Sequence, residues 1–202
     1  MISFQYKKEK QNILISLKTD AVQYGTFHRI ATLIYALKLD IVSGELGTVE
    51  EDGVQYTLDS FLLKSMDADP NNAAYQLAVL MDSLFKQQTA YDDILAKLQI
   101  PEPPIAMFFK ENPEFIFTDL PDQAKTCFYL ETSAGRGLLY YISKILMEFQ
   151  IDIVSATIET DEKTERARDT FYLRDKFGKM FGGTDLASQI RLAILAPLKQ
   201  TT

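Results

Sequence analysis

Apolar residues fall at two spacings along this chain, and the order of the two spacings occurs twice. Alternating segments from Ile2 to Tyr6 and from Phe115 to Thr118 predict short strands. Polar turn residues follow each, Lys7 to Asn12 and Asp119 to Lys125. Stronger strands, rich in β-branched and aromatic side chains, are predicted over Ile13 to Lys18 and Thr126 to Glu131. The spacing then lengthens after a glycine. Phe27, Ile30, Ile34 and Leu37 form one stripe on a helix of about three turns, as do Leu139, Ile142, Leu146 and Phe149. Alternation returns in Val42, Gly44, Leu46 and Thr48, matched by Val154, Ala156, Ile158 and Thr160. A polar hairpin tip comes next, Glu50-Glu51-Asp52-Gly53 or Asp161 to Glu165, then Asp59-x-Phe61-x-Leu63 or Asp169-x-Phe171-x-Leu173. The first closing helix starts near Asn71 or Asn72 and carries Leu77, Leu80, Met81 and Leu84. The second carries Leu186, Ile190 and Ile194, with Thr184 as N-cap and Pro197 marking its end.

The two runs are diverged copies. Gly25, Asp40, Ile41 and Ser43 stand 112 residues before Gly137, Asp152, Ile153 and Ser155, and the offset falls to 110 at Asp59 and Asp169, after the hairpin tip. The expected fold class is α+β: two units, each ββαββα in chain order, with antiparallel sheets and helices on one face. Residues 1–100 form the first unit, 101–112 a Pro-rich connector and 113–202 the second unit. A further helix near 90–98, carrying Tyr91, Ile94, Leu95 and Leu98 with Thr89 as N-cap, has no counterpart in the second copy. Edge-to-edge pairing of the units would join two four-stranded sheets and hide edges that otherwise invite aggregation.

Charge and cysteine usage narrow the function. A net charge of -7 argues against nucleic acid as a partner. Lys7-Lys8-Glu9-Lys10 reads as a solvated turn. The single cysteine, Cys127, cannot form an intrachain disulfide, which suits a reducing compartment, and its strand position predicts a buried apolar role. Met1 to Lys10 lacks the apolar region of a signal peptide, and no apolar run approaches the roughly 18 residues needed to span a bilayer. A cytoplasmic location without membrane contact is expected. His28 is the one histidine, so a multi-histidine metal site is excluded and a half-exposed structural role expected. Neither metal nor cofactor is expected: Ala134-Gly135-Arg136-Gly137 lacks the glycine spacing and lysine of a phosphate loop, and no EF-hand spacing occurs. No acid–base pair or nucleophile constellation emerges, so the chain is read as a non-enzyme.

Phe128-Tyr129-Leu130-Glu131, Gly137 to Ser143, Ile151 to Thr160 and Asp169-Thr170-Phe171-Tyr172-Leu173 resemble an ACT domain. They are most similar to the paired ACT domains at the C-terminus of bacterial PII uridylyltransferases and to their plant ACT-repeat relatives. The resemblance is strongest over residues 113 to 198 and fainter over 2 to 86. It implies a regulatory small-molecule sensor, often for amino acids, acting on an attached or partnered protein or as a homodimer. It also places ligand where two ACT units meet, near the glycine turn and the start of the following strand. The corresponding positions are Val22 to Gly25 with Asp40 to Gly44, and Ala134 to Gly137 with Asp152 to Ala156. The turns depart from the family's D-R-P-G, reading Val22-Gln23-Tyr24-Gly25 and Ala134-Gly135-Arg136-Gly137.

The candidate ligand-binding residues are therefore Gly25, Asp40, Ile41, Ser43, Gly135, Arg136, Gly137, Asp152, Ile153 and Ser155. The glycines either serve a left-handed turn or let a ligand carboxylate reach helix amides. Arg136 offers a planar fork for a carboxylate, or is an exposed turn residue. Asp40 and Asp152 either accept from an α-amino group or bond the local backbone. Ser43 and Ser155 add a hydroxyl contact or fill a tight spot. Two readings stay open: an amino-acid sensor with ligand at the junction of the units, and a module of the same fold that binds no ligand and works through dimerisation or partner docking.

Overall fold

The computed structural model describes residues 2–9, 12–20, 24–65, 69–86, 91–98 and 100–200. The first copy contributes β1 (Ile2–Glu9), β2 (Asn12–Thr19), α1 (Thr26–Ala36), β3 (Leu39–Glu51), β4 (Val54–Ser65) and α2 (Pro70–Phe85). The second contributes β5 (Glu114–Leu120), β6 (Lys125–Ser133), α5 (Leu138–Glu148), β7 (Asp152–Asp161), β8 (Arg166–Arg174) and α6 (Asp185–Leu195). Between them lie α3 (Tyr91–Leu98) and α4 (Ile105–Phe108). The ββαββα order holds in both copies, as the periodicity predicts.

All eight strands join in one antiparallel sheet, β1-β2-β4-β3-β7-β8-β6-β5. Each half is a four-stranded ferredoxin-like unit, and β3 meets β7 at the middle. That ladder runs from Ser43↔Glu159 to Gly47↔Ser155. Its central pair is Glu45 and Thr157, which occupy equivalent places in the two copies, so the halves are related by an approximate twofold through that pair. The helices cover one face. Strand alternation sends Ile13, Ile15, Leu17, Leu46, Phe61 and Leu63 beneath α1 and α2, and Phe128, Leu130, Ile158, Phe171 and Leu173 beneath α5 and α6.

The local signals account for the boundaries. Asp52 and Gly53 both take positive φ (52° and 77°), the backbone of a tight Asp-Gly hairpin. The helix α2 begins at Pro70 rather than at Asn71 or Asn72, because Asp69 caps it by accepting from the Asn71 amide at 3.0 Å. Thr184 is the N-cap of α6, as expected, although its hydroxyl donates to the Phe181 carbonyl (2.8 Å) instead of capping an amide. The helix α3 forms where expected; Thr89 and the side chains of Tyr91, Ile94 and Leu95 lie outside the described residues.

Several expectations are corrected. Lys7, Lys8 and Glu9 belong to β1 rather than to a turn, and Asp119 and Leu120 to β5. Val42 and Val154 do not share the buried face with Gly44 and Ala156. A bulge between Ile41 and Ser43, repeated between Ile153 and Ser155, inserts one extra residue and turns Ile41 and Ile153 to the helix side. Residues 101–112, the Pro-rich connector, also contain α4 and two buried rings, Phe108 and Phe109; the Thr132 hydroxyl donates to the Phe108 carbonyl and Phe109 packs on Phe115 and Tyr141. Cys127 is only half-buried, since it alternates with the buried Thr126 and Phe128 and faces away from the helices.

Gly44 and Gly47 test the two faces of β3. A Cβ at Gly44 would stand 2.5 Å from the Phe61 ring and 3.0 Å from the Ser60 carbonyl, whereas one at Gly47 would meet only the Leu58 carbonyl at 3.9 Å. Gly44→Ala is expected to cost about 1–3 kcal/mol through overpacking, and Gly47→Ala under about 0.5 kcal/mol. Urea unfolding of both variants checks this; equal midpoints would contradict the packing described.

Candidate functional site at the junction of the units

Each copy turns from strand to helix at a glycine in the left-handed region, Gly25 at φ 84° and Gly137 at φ 96°. Residues with a side chain are strained there, so the backbone alone demands glycine. The packing demands it again. A Cβ on Gly25 would lie 2.7 Å from the Met147 sulfur; one on Gly137 would lie 2.8 Å from the Tyr35 ring and 2.9 Å from Pro103. Tyr35 and Met147 are equivalent positions, so each turn packs against the last turn of the other unit's helix.

Two clefts follow from this crossing. The first lies between the Gly25 turn and the start of β7, and is lined by Tyr24 to His28, Leu46 to Thr48, Asp59, Ser143, Met147 and Ile151 to Val154. The second lies between the Gly137 turn and the start of β3, and is lined by Tyr35, Leu39 to Ile41, Gly135, Gly137 to Tyr140, Ile158 and Asp169. Their inner cavities measure about 40 Å³ and 20 Å³, room for waters rather than for a larger molecule as the side chains stand. The bulge in β7 contributes to the first cleft: the Thr48 hydroxyl reaches across to the Val154 carbonyl at 3.3 Å.

Between the clefts, α1 packs on α5 along a seam of rings. His28 and Tyr140, again equivalent positions, stack at 5.4 Å, and Tyr140 stacks on Tyr35 at 5.1 Å. His28 Nδ1 lies 3.1 Å from the Ser143 hydroxyl. The expected half-exposed histidine is in fact 4% exposed. Burial, reinforced by the positive charge of Lys144, lowers its pKa to about 4, so the seam holds a neutral imidazole at physiological pH.

Each cleft has a buried carboxylate at its floor. Asp59 is 5% exposed and Asp169 0% exposed. Burial raises Asp59 to about 7 against the opposing pull of the Gly47 amide, and Asp169 to about 8 against that of the Glu159 amide. Asp169 Oδ1 accepts from the Glu159 amide at 3.4 Å, whereas Oδ2 has no partner. Sequence reasoning passed over this pair, yet the signal was there: in Asp59-x-Phe61-x-Leu63 the aspartate shares the face of the buried phenylalanine.

The structure divides the predicted residues between the clefts. Gly25, Asp152 and Ile153 line the first; Asp40, Ile41, Gly135 and Gly137 line the second. The glycine turn of one copy therefore meets the strand start of the other. Arg136 lies beside the second cleft with its guanidinium 5.5 Å over the Tyr35 ring, where its charge opposes the burial that raises the pKa of Asp40. Burial also raises Asp152, against the charge of Arg174. Ser43 and Ser155 are not brought to either cleft. Each follows the bulge and faces the helix-free side of the sheet, where Ser43 lines a shallow depression with Leu62 and Glu159. Val22 and Gln23 lie outside the described residues. Among the described residues, no group of three or more His, Cys, Asp and Glu could hold a metal ion, and no helix is long and apolar enough to cross a membrane.

No family model matches the chain. It is 25% identical over 179 residues to a bifunctional uridylyltransferase/uridylyl-removing enzyme of Azospirillum brasilense, covering 87% of this chain and 19% of that protein. The alignment spans both copies. The chain resembles a tandem ACT region of such enzymes. The enzyme of the same description from Rhodospirillum rubrum is 24% identical over 181 residues, 88% of this chain and 19% of that one. The chain thus spans about a fifth of the length of these relatives. Among solved structures, an aspartate kinase from Synechocystis aligns with 95% of this chain and 27% of its own at a TM-score of 0.48 and 12% identity.

The buried floor gives a pH prediction. Asp169 holds its proton up to about pH 8 when folded, against about 3.9 when unfolded. Its contribution to stability is complete below the unfolded value and is lost as pH rises towards the folded one. Asp169→Asn, which does not ionise, is expected to gain thermal stability relative to the parent between pH 5 and pH 8, by roughly 2–4 °C per kcal/mol of ionisation penalty removed. A melting-temperature difference that stays constant over that range would show that the carboxyl is already ionised.

Proposed function

We propose that the chain is a regulatory module that senses a small molecule, of amino-acid class, at the junction of its two ACT-like units. The observation that carries this reading is the crossing itself: each glycine turn faces the strand start of the opposite unit, so one ligand would touch both. The chemistry suits an amino acid. First-turn amides of α1 or α5 can receive a carboxylate, and Asp152 or Asp40 can accept from an ammonium group. Binding that favours one arrangement of the units over another would shift their population, and that shift is what a partner protein would read. On this reading the chain corresponds to a regulatory share of the uridylyltransferase-like enzymes, and residues 1–100 and 113–202 are the two sensing units joined by 101–112.

A second reading, an ACT-fold module that binds no ligand and acts through dimerisation or partner docking, is favoured by one observation: Tyr35 and Pro103 fill the space against Gly137, and both cavities are small. A thermal-shift screen of the twenty amino acids separates the two. A ligand at a hundredfold excess over its Kd adds about 2.7 kcal/mol, a rise of roughly 5 to 10 °C. Asp152→Ala is expected to fold normally and to reduce that rise severalfold. Absence of any shift, in a chain that elutes as a dimer or with a partner, would replace the sensor with the docking module.

A further inference from the structure

The copies are equivalent in sequence position, but their junctions are closed by different materials. At Gly25 the neighbour is Met147, an unbranched thioether whose far end swings about three torsions. At Gly137 the neighbours are the ring of Tyr35 and the ring of Pro103. The Tyr35 ring stacks on Tyr140 at 5.1 Å and has the Arg136 guanidinium 5.5 Å from its centre, and Tyr140 stacks in turn on His28. The polar lining differs too. Thr26 and Ser143 line the first cavity where Leu138 and Ala31 stand in the second, while Thr48, Asp59 and Asp152 are matched there by Thr160, Asp169 and Asp40. The first cavity measures about 40 Å³ and the second about 20 Å³.

We propose that the two junctions have diverged: the one between Gly25 and Asp152 opens to admit ligand, with Met147 as its gate, and the one between Gly137 and Asp40 is locked as the clamp that holds the units together. The identity of what enters rests on the sensing function proposed above. The opening junction supplies carboxylates, hydroxyls and the first-turn amides of the 11-residue α1, and none of the described residues lining it is lysine or arginine. Its ligand must bring its own positive charge. Once Met147 swings aside, a small amino acid matches this lining, with the ammonium on Asp152 and the carboxylate on the α1 amides. One ligand binds per chain, not two.

Hydrogen–deuterium exchange on the unliganded, unmutated chain tests the divergence without any ligand. Backbone amides of Thr26–Ile30 are expected to exchange about tenfold faster than those of the equivalent Leu138–Ile142, because local opening frees them first. Equal protection, or faster exchange in Leu138–Ile142, overturns the proposal whatever the amino-acid screen shows. Met147→Trp, which replaces the gate with a rigid ring system, is expected to bring the two rates together, while Arg136→Ala leaves the exchange of Thr26–Ile30 unchanged. Titration calorimetry with whichever amino acid gives the largest thermal shift should return one site per chain, lost in Met147→Trp; two sites would overturn the locked junction. Unequal exchange with no amino acid bound would leave the divergence standing and remove only the sensing function.

Discussion

The pairing of β3 with β7 is the constraint on which the rest of the molecule depends. An unpaired strand edge is a row of exposed amides and carbonyls, and each four-stranded unit would otherwise present one along β3 or β7. Joining the two edges antiparallel pairs them from Ser43 to Gly47 and from Ser155 to Glu159, and the register, centred on Glu45 and Thr157, sets where the helices above the sheet lie. Gly44 and Ala156 are small on the helix side of this ladder. Because α1 and α5 follow their strands symmetrically, the seam between them falls over the same axis, and His28 meets Tyr140 there. One pairing thus determines two interfaces, a hydrogen-bonded one in the sheet and an aromatic one between helices.

The same symmetry makes the clefts composite. A glycine turn and its own strand start lie on opposite sides of the axis, and each finds its counterpart in the other unit. A ligand in either place would bridge two bodies rather than sit in one, which is the physical requirement for binding to change how the bodies are arranged. Asp59 and Asp169 add a second property. Placed on the buried face beneath the helices, they are raised by desolvation to about 7 and about 8, so both carboxyls at the cleft floors titrate near neutral pH and their protonation depends on what fills the space above them.

Duplication has left the copies unequal. Tyr35 and Met147 occupy one structural position, yet one is a ring that contacts both a guanidinium and a second ring, and the other a flexible chain. Once one strand pairing and one helix seam hold the units together, the two clefts are free to specialise, since stability no longer requires both to be alike.

How far the sequence reached depended on range. Periodicity and turn chemistry are local, and they were enough for the ββαββα order, the duplication, the glycine turns at Gly25 and Gly137, and the Thr184 N-cap. The bulges at Val42 and Val154 escaped because one inserted residue leaves the alternation intact on either side. Burial of His28 escaped for another reason: the residue that covers it, Tyr140, stands 112 positions away. The sequence by itself determined which residues each unit would bring to a junction, since repeat and resemblance both name Gly25, Asp40, Gly137 and Asp152. Only the tertiary structure decided that Gly25 faces Asp152 and Gly137 faces Asp40, because which edges pair is a contest between distant surfaces that no local spacing records.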